Sequence, residues 1–562
     1  MTMESNVSYQ QALRLRSRCL SAAAEKAKGH YGVARVDRAL RRLALHGIGL
    51  PQQSNDEHPA EAWLASLSGA AVEAAFSGRE ASEVLQIPPP KSLALLPPLA
   101  LSHVAASAGG YVASLVLGDA SEAARELAFL ARSFHAAHWR HPPWRGANLG
   151  GWLLLEPGPA SPLFDTQNAC HCEDEWSFCQ HLAATHGEEG KRRIFDRHRR
   201  EHYGAETFTE LRRCGLNSVR LPLGYWVVDG PAPGDAFVGP ALEVVDRAVQ
   251  LAREAGFQIL LDLHGNPGGE SGERPCGRIR HDWTWKSWRR EEAVESLRRI
   301  AARYQHEECV TGVQVCNEPA QSVPLEVLCD FYEAAVTAIR EAGMGPDRVA
   351  VVLPIFTTFR IGSVIKEWSS RGNVLRYDNV AFDIHYYHCF SPLWRLPSQE
   401  QHLLLCEDHA RELSLIPGAM VGEWSLAREK GDRWSKEQGR AFAAAQVRAY
   451  AHASHGWFFW NWNDHVEYES WDFRRGIFGK GMLPTPISDI DGLDSEPKLW
   501  ATPRHPIGLF GKCFALLQAL FEVVQPLSEC RCPSRRACCS CLGQVTGFFC
   551  CITSPGLSCR RC

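Results

Sequence analysis

Residues 141–500 predict an α/β fold, a (β/α)8 TIM barrel. Short apolar runs rich in Val, Ile and Leu alternate there with stretches of helical period. Alternating strand and helix patterns imply parallel strands joined by crossover helices. Eight such runs within roughly 320 residues match a closed eightfold barrel better than an open sheet. Tryptophan marks the same segment: 17 of the 18 lie between Trp139 and Trp500.

The first predicted strand is RGANLGG (145–151). SVRLPL (218–223), QILLDLHG (258–265) and GVQVCNEP (312–319) follow. Then come VAVVLP (349–354), VAFDIHYY (380–387), AMVGEWS (419–425) and GWFFWNWN (456–463). Between them, residues 241–256, 291–304 and 325–343 place apolar side chains at helical spacing.

The flanks read differently. Residues 1–30 form a polar, Arg-containing leader without the apolar run of a secretory signal. Residues 31–140 are Ala- and Leu-rich with helical spacing, divided by Pro88-Pro89-Pro90, and predict a helical region of no evident chemistry. Residues 501–562 predict one helix and then an irregular tail with nine of the 21 cysteines. That tail has no His, and it is read as irregular rather than as a zinc module. Cys170, Cys172 and Cys179 could ligate a metal, yet the sequence offers no partner pair that completes a site. The formal net charge of −4 argues against a nucleic-acid partner. The most apolar stretch, Leu93 to Leu117, is broken by Pro97 and Pro98 and is not read as a membrane span.

An eightfold barrel forms its site at the carboxyl ends of its strands. Those ends present Asn148 with Glu156 beyond it, Arg220, His264, Asn317 with Glu318, His385 with Tyr387, Glu423, and Trp460. Each has a structural explanation taken singly: a satisfied histidine, a core tryptophan, an arginine paired with a carboxylate. Their joint occurrence at seven of eight strand ends points to a site. Glu318 and Glu423 close apolar strands, where an ionised carboxylate is a poor choice for stability. Pro319 biases Glu318 toward extended backbone, which keeps its side chain at the rim. Two carboxylates facing one cleft are what glycoside hydrolysis requires.

The motifs RGANLGGWLLLEP (145–157), DEWSFC (174–179), GLNSVRLPLGYW (215–226), DLHGNPG (262–268), NEP (317–319), DIHYYHCF (383–390), GEWS (422–425) and GWFFWNW (456–462) occur in one order across the barrel. In this they resemble glycoside hydrolase family 5, in its exo-β-1,3-glucanase branch. The resemblance implies that Glu318 is the general acid/base and Glu423 the nucleophile of a retaining reaction, with the carboxyl groups about 5–5.5 Å apart. It implies that Asn317 bonds the sugar 2-hydroxyl and that Arg220 holds the nucleophile ionised. His385 and Tyr387 would stand beside the nucleophile, His264 after strand three, and Glu156 at the terminal sugar's hydroxyls. Trp460 would be a platform under the sugar, whose C–H face suits an aromatic ring. Phe390 would be one of two aromatics on the acceptor. No metal or cofactor is implied. Secretion is common among relatives of this kind, so an extracellular location is an expectation from the resemblance alone.

The sequence departs from that pattern in one loop. GGESGERPCGR (268–278) has Glu273 and Arg274 where the second aromatic is expected, and Tyr386 and His388 are unusual around strand six. Three readings follow. The first is a β-glucan hydrolase that releases glucose. The second is a β-glucosidase on a small or lipid-linked glucoside. The third, a carbohydrate-binding pseudoenzyme, would show by loss of a catalytic carboxylate, and both are present.

Overall fold

The computed structural model describes residues 139–355, 360–416, 418–428, 434–465, 469–482 and 487. The leader, the Ala/Leu-rich region up to residue 138 and the Cys-rich tail lie outside them. Eight parallel strands close in sequence order, and β1 pairs with β8. They are β1 (Trp144–Asn148), β2 (Ser218–Gly224), β3 (Gln258–Gly265), β4 (Val310–Gln314), β5 (Ala350–Ile355), β6 (Val380–His388), β7 (Ala419–Arg428) and β8 (Gly456–Phe459). The expected (β/α)8 barrel is therefore the fold of these residues.

The surrounding helices are α1 (Ser161–Thr166), α2 (Glu175–Glu201), α3 (Ala205–Arg213), α4 (Leu242–Ala255), α5 (Arg290–Tyr304), α6 (Leu325–Glu341), α7 (Ile361–Ser370), α8 (Gln399–Leu415) and α9 (Lys436–Tyr450), apart from two single turns. Helix α4 shows why they form. Val245, Ala248, Val249 and Ala252 share its buried face, and Gly256 ends it with a left-handed C-cap at φ 64°. Ser398 and Ser435 open α8 and α9 with capping boxes. Among the described residues, no helix is long and apolar enough to cross a membrane.

One helix is unanticipated, and two expected strands need correction. Helix α2 is not evident in the sequence, because Gly187 breaks it at φ 68° and puts its two halves out of phase. Strands β4 and β8 are also shorter than expected. They end at Gln314 and Phe459, so Asn317, Glu318 and Trp460 stand on the segments that leave the barrel.

Period-two alternation divides the barrel interior into layers. The lower layer is apolar: Trp144, Leu260, Ala350, Val352, Ala381, Met420 and Phe458 pack with Trp139. Gly312 leaves the room, since a Cβ there would meet Trp144 and Leu260 at 2.7 Å. The Trp144 indole N–H donates to Thr311 at 2.9 Å. One pleat further along, the same faces carry Asn148, Arg220, Asp262, Gln314 and Asp383, all fully buried. The apolar floor seals the barrel, and the polar layer above it supports the site.

Candidate active site

Arg220 is the hub. Its Nη1 donates to Asn148 Oδ1 at 2.7 Å and to Glu423 Oε1 at 2.9 Å. Its Nη2 donates to Asn317 Oδ1 at 2.8 Å and lies 2.9 Å from Asp262 Oδ2, while Nε donates to Gln314 Oε1 at 2.9 Å. A buried guanidinium with every face engaged fixes two carboxylates and three amides at once. Breaking such a buried pair on one side leaves an uncompensated charge, a loss of about 3–5 kcal/mol. We therefore expect Arg220→Met to lower the unfolding midpoint sharply. Arg220→Lys should recover only part of it, because one ammonium cannot replace the fork. An unchanged midpoint for the Met variant, read by thermal or urea unfolding, would contradict this.

The other carboxylate has its own frame. Asp383 accepts the Gly422 N–H at 2.6 Å on Oδ1 and the Gln314 amide at 2.9 Å on Oδ2. His385 bridges Asp383 and Glu318: Nε2 lies 3.1 Å from Asp383 Oδ2, and Nδ1 lies 2.7 Å from Glu318 Oε1. The β6–β7 register shifts between Asp383 and His385, which places His385 opposite Glu423. Burial disfavours charge on His385, but Glu423, Asp383 and Glu318 outweigh it and hold the imidazole well above its usual pKa. Tyr387 donates its hydroxyl to Glu423 Oε2 at 2.7 Å. Glu423 is thus clamped from both sides, by Arg220 and by Tyr387. One side-chain atom each of Glu318, His385 and Glu423 falls within a mutual distance of 4.8 Å. By donor type this group could hold a cation, but Arg220, Tyr387, Glu318 and Asp383 already engage the atoms that would ligate it.

His264 and Trp460 form one wall, their rings stacked at 5.7 Å and 15°. Burial, then Arg220, pushes the His264 pKa down to about 3, so the ring is neutral. Its Nδ1 donates to Asp262 at 2.6 Å, which leaves the lone pair on Nε2. Glu156 is buried nearby, and burial followed by the charge of Glu423 raises its pKa to about 8. Arg274, from the unusual 268–278 loop, acts on the same carboxyl with the opposite sign. Phe390 is 71% exposed and meets Tyr387 edge to face at 5.0 Å.

All ten residues singled out in the sequence thus stand on the carboxyl-end side of the barrel strands or on the segments that leave them. The sequence reading missed Asp262, Gln314, Asp383, Glu270 and Trp471. Period-two alternation was the available signal for two of these, since Asp262 shares a strand face with His264, and Asp383 with His385. Glu270 carried no such signal. It sits inside the 268–278 loop and accepts the backbone N–H groups of Asn266 at 3.1 Å and Asn317 at 3.3 Å. Trp471 packs on Tyr387 at 5.3 Å and on Phe390 at 5.7 Å. It therefore supplies a second aromatic beside Phe390 from a segment that the loop pattern could not suggest. Trp288 is part of the packing beside the loop: it is buried against Phe331 and donates to Asn266 at 3.2 Å.

Comparison with known proteins agrees with this geometry. A family model described as Cellulase (glycosyl hydrolase family 5) matches residues 198–466. The glucan 1,3-beta-glucosidase of Lachancea kluyveri is 26% identical over 397 residues, covering 61% of this chain and 87% of that protein. The probable glucan 1,3-beta-glucosidase A of Aspergillus clavatus is 28% identical over 389 residues, covering 61% of this chain and 88% of its own length. Among solved structures, rutinosidase from Aspergillus niger shares the fold, with a TM-score of 0.51 at 17% identity over 61% of this chain and 99% of that one. With the family model running from α2 past the end of β8, and with two carboxylates braced at the mouth of the barrel, residues 198–466 are similar to glycosyl hydrolase family 5 and the chain is a glycoside hydrolase.

Proposed function

We propose that residues 141–500 form a retaining exo-β-1,3-glucanase, which releases glucose by double displacement. The observation that carries this reading is the Glu318–Glu423 pair, with an oxygen of each within 4.8 Å of the other. Retaining enzymes hold their carboxyl groups about 5–5.5 Å apart, whereas inverting enzymes leave about 6.5–9.5 Å for a water. The braces divide the roles. Arg220 and Tyr387 fix Glu423 as the carboxylate that attacks the anomeric carbon. Glu318 shares a proton with His385 Nδ1 and delivers it to the departing oxygen. The C1–O bond to the aglycone breaks as the bond to Glu423 forms, and the alcohol leaves with the proton. The ester neutralises Glu423 and removes a negative charge from beside Glu318. Water then gives its proton to Glu318 and its oxygen to C1, freeing Glu423 and releasing β-glucose. Asn317, held by Arg220, is placed for the 2-hydroxyl, and Trp460 for the sugar's C–H face.

Glu156 would bind the sugar's far hydroxyls as a neutral carboxyl below about pH 8. As pH rises through that value it gains a charge beside Glu423 and Glu318. Wild-type kcat/KM should therefore fall there. Glu156→Gln, which cannot ionise, should shift that alkaline limb upward, while Glu156→Ala should lose activity at every pH. Superimposable wild-type and Gln profiles would remove Glu156 from this role.

The 268–278 loop favours a second reading, a β-glucosidase on a small or lipid-linked glucoside. Arg274 acts on the terminal-sugar carboxyl there, in place of an acceptor-stacking aromatic. One experiment separates the two readings. Laminarin is incubated with the full chain and the product anomers are followed by proton NMR. Early β-glucose as the main product is expected. Early α-glucose would rule out retention. Inertness toward laminarin together with cleavage of aryl or steryl glucosides would select the second reading.

A further inference from the structure

A second group of metal-type ligands lies outside the barrel mouth, in the segment between α1 and α2. One ligand atom each from His171, Cys172 and His181 falls within a mutual distance of 4.8 Å. His171 and Cys172 sit on the loop that leaves α1, and His181 lies in the second turn of α2. The sequence singled out Cys172 without finding its partners, because both are histidines and one is nine residues further on. From these residues we propose a binding site for a zinc-class divalent ion, with one thiolate and two imidazole ligands and the fourth position open to water.

Four observations support it. The donor set is thiolate plus imidazole, the combination that suits zinc and its neighbours rather than calcium or magnesium. The His181 Nε2 lies 3.0 Å from the Gln167 carbonyl oxygen, so it donates there and leaves the lone pair on Nδ1. A ligating histidine usually donates its other N–H to such a carbonyl, which fixes ring and tautomer. The loop is held in place: Ala169 N–H donates to Phe164 at 2.8 Å, Cys172 N–H donates to Ala169 at 2.9 Å, and Asp174 caps α2 through a capping box with Ser177. Cys172 itself is buried in the satellite core with Phe164, Phe178 and Leu182, while His171 is exposed. A metal can thus enter from the solvent side and meet an anchored sulfur. A thiol must give up its proton to ligate a metal, so binding should strengthen as pH rises. A span of about 3.3–3.6 Å between ligand atoms follows from tetrahedral zinc distances, so the three atoms close by roughly 1 Å around an ion.

The test is a cobalt(II) titration of the reduced, chelator-stripped full chain. The chain carries 21 cysteines, so the readout is the difference between variants rather than the total bound. Wild type should show one equivalent with a sulfur-to-cobalt charge-transfer band and tetrahedral visible absorption that is absent from Cys172→Ser. His171→Ala, at an exposed position, tests the site without disturbing packing. It should bind zinc at least about 100-fold more weakly than wild type. Zinc should raise the melting temperature of wild type and leave that of His171→Ala unmoved. Identical cobalt spectra for wild type and Cys172→Ser would overturn the site. So would a band that survives Cys172→Ser and is lost in Cys170→Ser, or an equal zinc effect on both melting temperatures.

Discussion

Glu423→Ala should lower kcat by about 10⁴- to 10⁶-fold, equivalent to about 5–8 kcal/mol of transition-state stabilisation. The residue it removes is not replaceable by a neighbour. Arg220 and Tyr387 both donate to it and cannot themselves attack, and His385 is held charged between two carboxylates. The alanine leaves a space lined by a guanidinium and a phenol, a setting that suits a small anion. Azide should therefore restore turnover of an aryl glucoside with an activated leaving group. Its attack comes from the face that Glu423 occupied, so the product should be the α-glucosyl azide. Activity near the wild-type level, or a β-azide, would show that Glu423 is not the nucleophile. The loss should not come from unfolding, because Arg220 keeps Asp262 as a carboxylate partner when Glu423 is removed.

Glu318→Ala should cost about 10²- to 10⁴-fold on substrates with a poor leaving group, and far less on a dinitrophenyl glucoside that departs unaided. With that substrate the glycosyl-enzyme on Glu423 should accumulate, because no base activates water. Azide needs no base and should accelerate breakdown, entering from the side that the aglycone left. The expected product is then the β-glucosyl azide, the opposite anomer to that from Glu423→Ala. The two variants thus test the role assignment against each other: exchanged products would mean exchanged roles. A Glu318→Ala defect that did not depend on the leaving group would point to lost positioning of His385 instead, since the two side chains are hydrogen-bonded at 2.7 Å.

The barrel was legible because each strand has to satisfy two burial demands. Its outward face meets helices, and its inward face meets the barrel interior, so runs such as QILLDLHG stay apolar on one face along their whole length. A polar residue at the end of such a strand then stands out, and Arg220, His264 and His385 were found this way. Their partners Asp262 and Asp383 were equally visible in the alternation. An aspartate two residues before a histidine nonetheless reads as ordinary unless the fold says that both point inward. Helix α2 escaped notice because Gly187 resets its phase and erases the periodicity that marks a helix.

By itself the sequence determined the fold class, the order of the strands and the placing of two carboxylates at strand ends, since these depend on local pattern. Tertiary structure alone decided which groups meet. Arg220 gathers Asn148, Asp262, Gln314, Asn317 and Glu423 across as many as 203 positions of chain, and Trp471 reaches Tyr387 and Phe390 from beyond β8. The shift of β6 against β7 sets His385 opposite Glu423, and the fold of α1 against α2 brings His181 to His171 and Cys172. The physical reason is the same in each case. Sequence pattern encodes which face a side chain takes, whereas barrel closure and strand register decide whose side chain faces it.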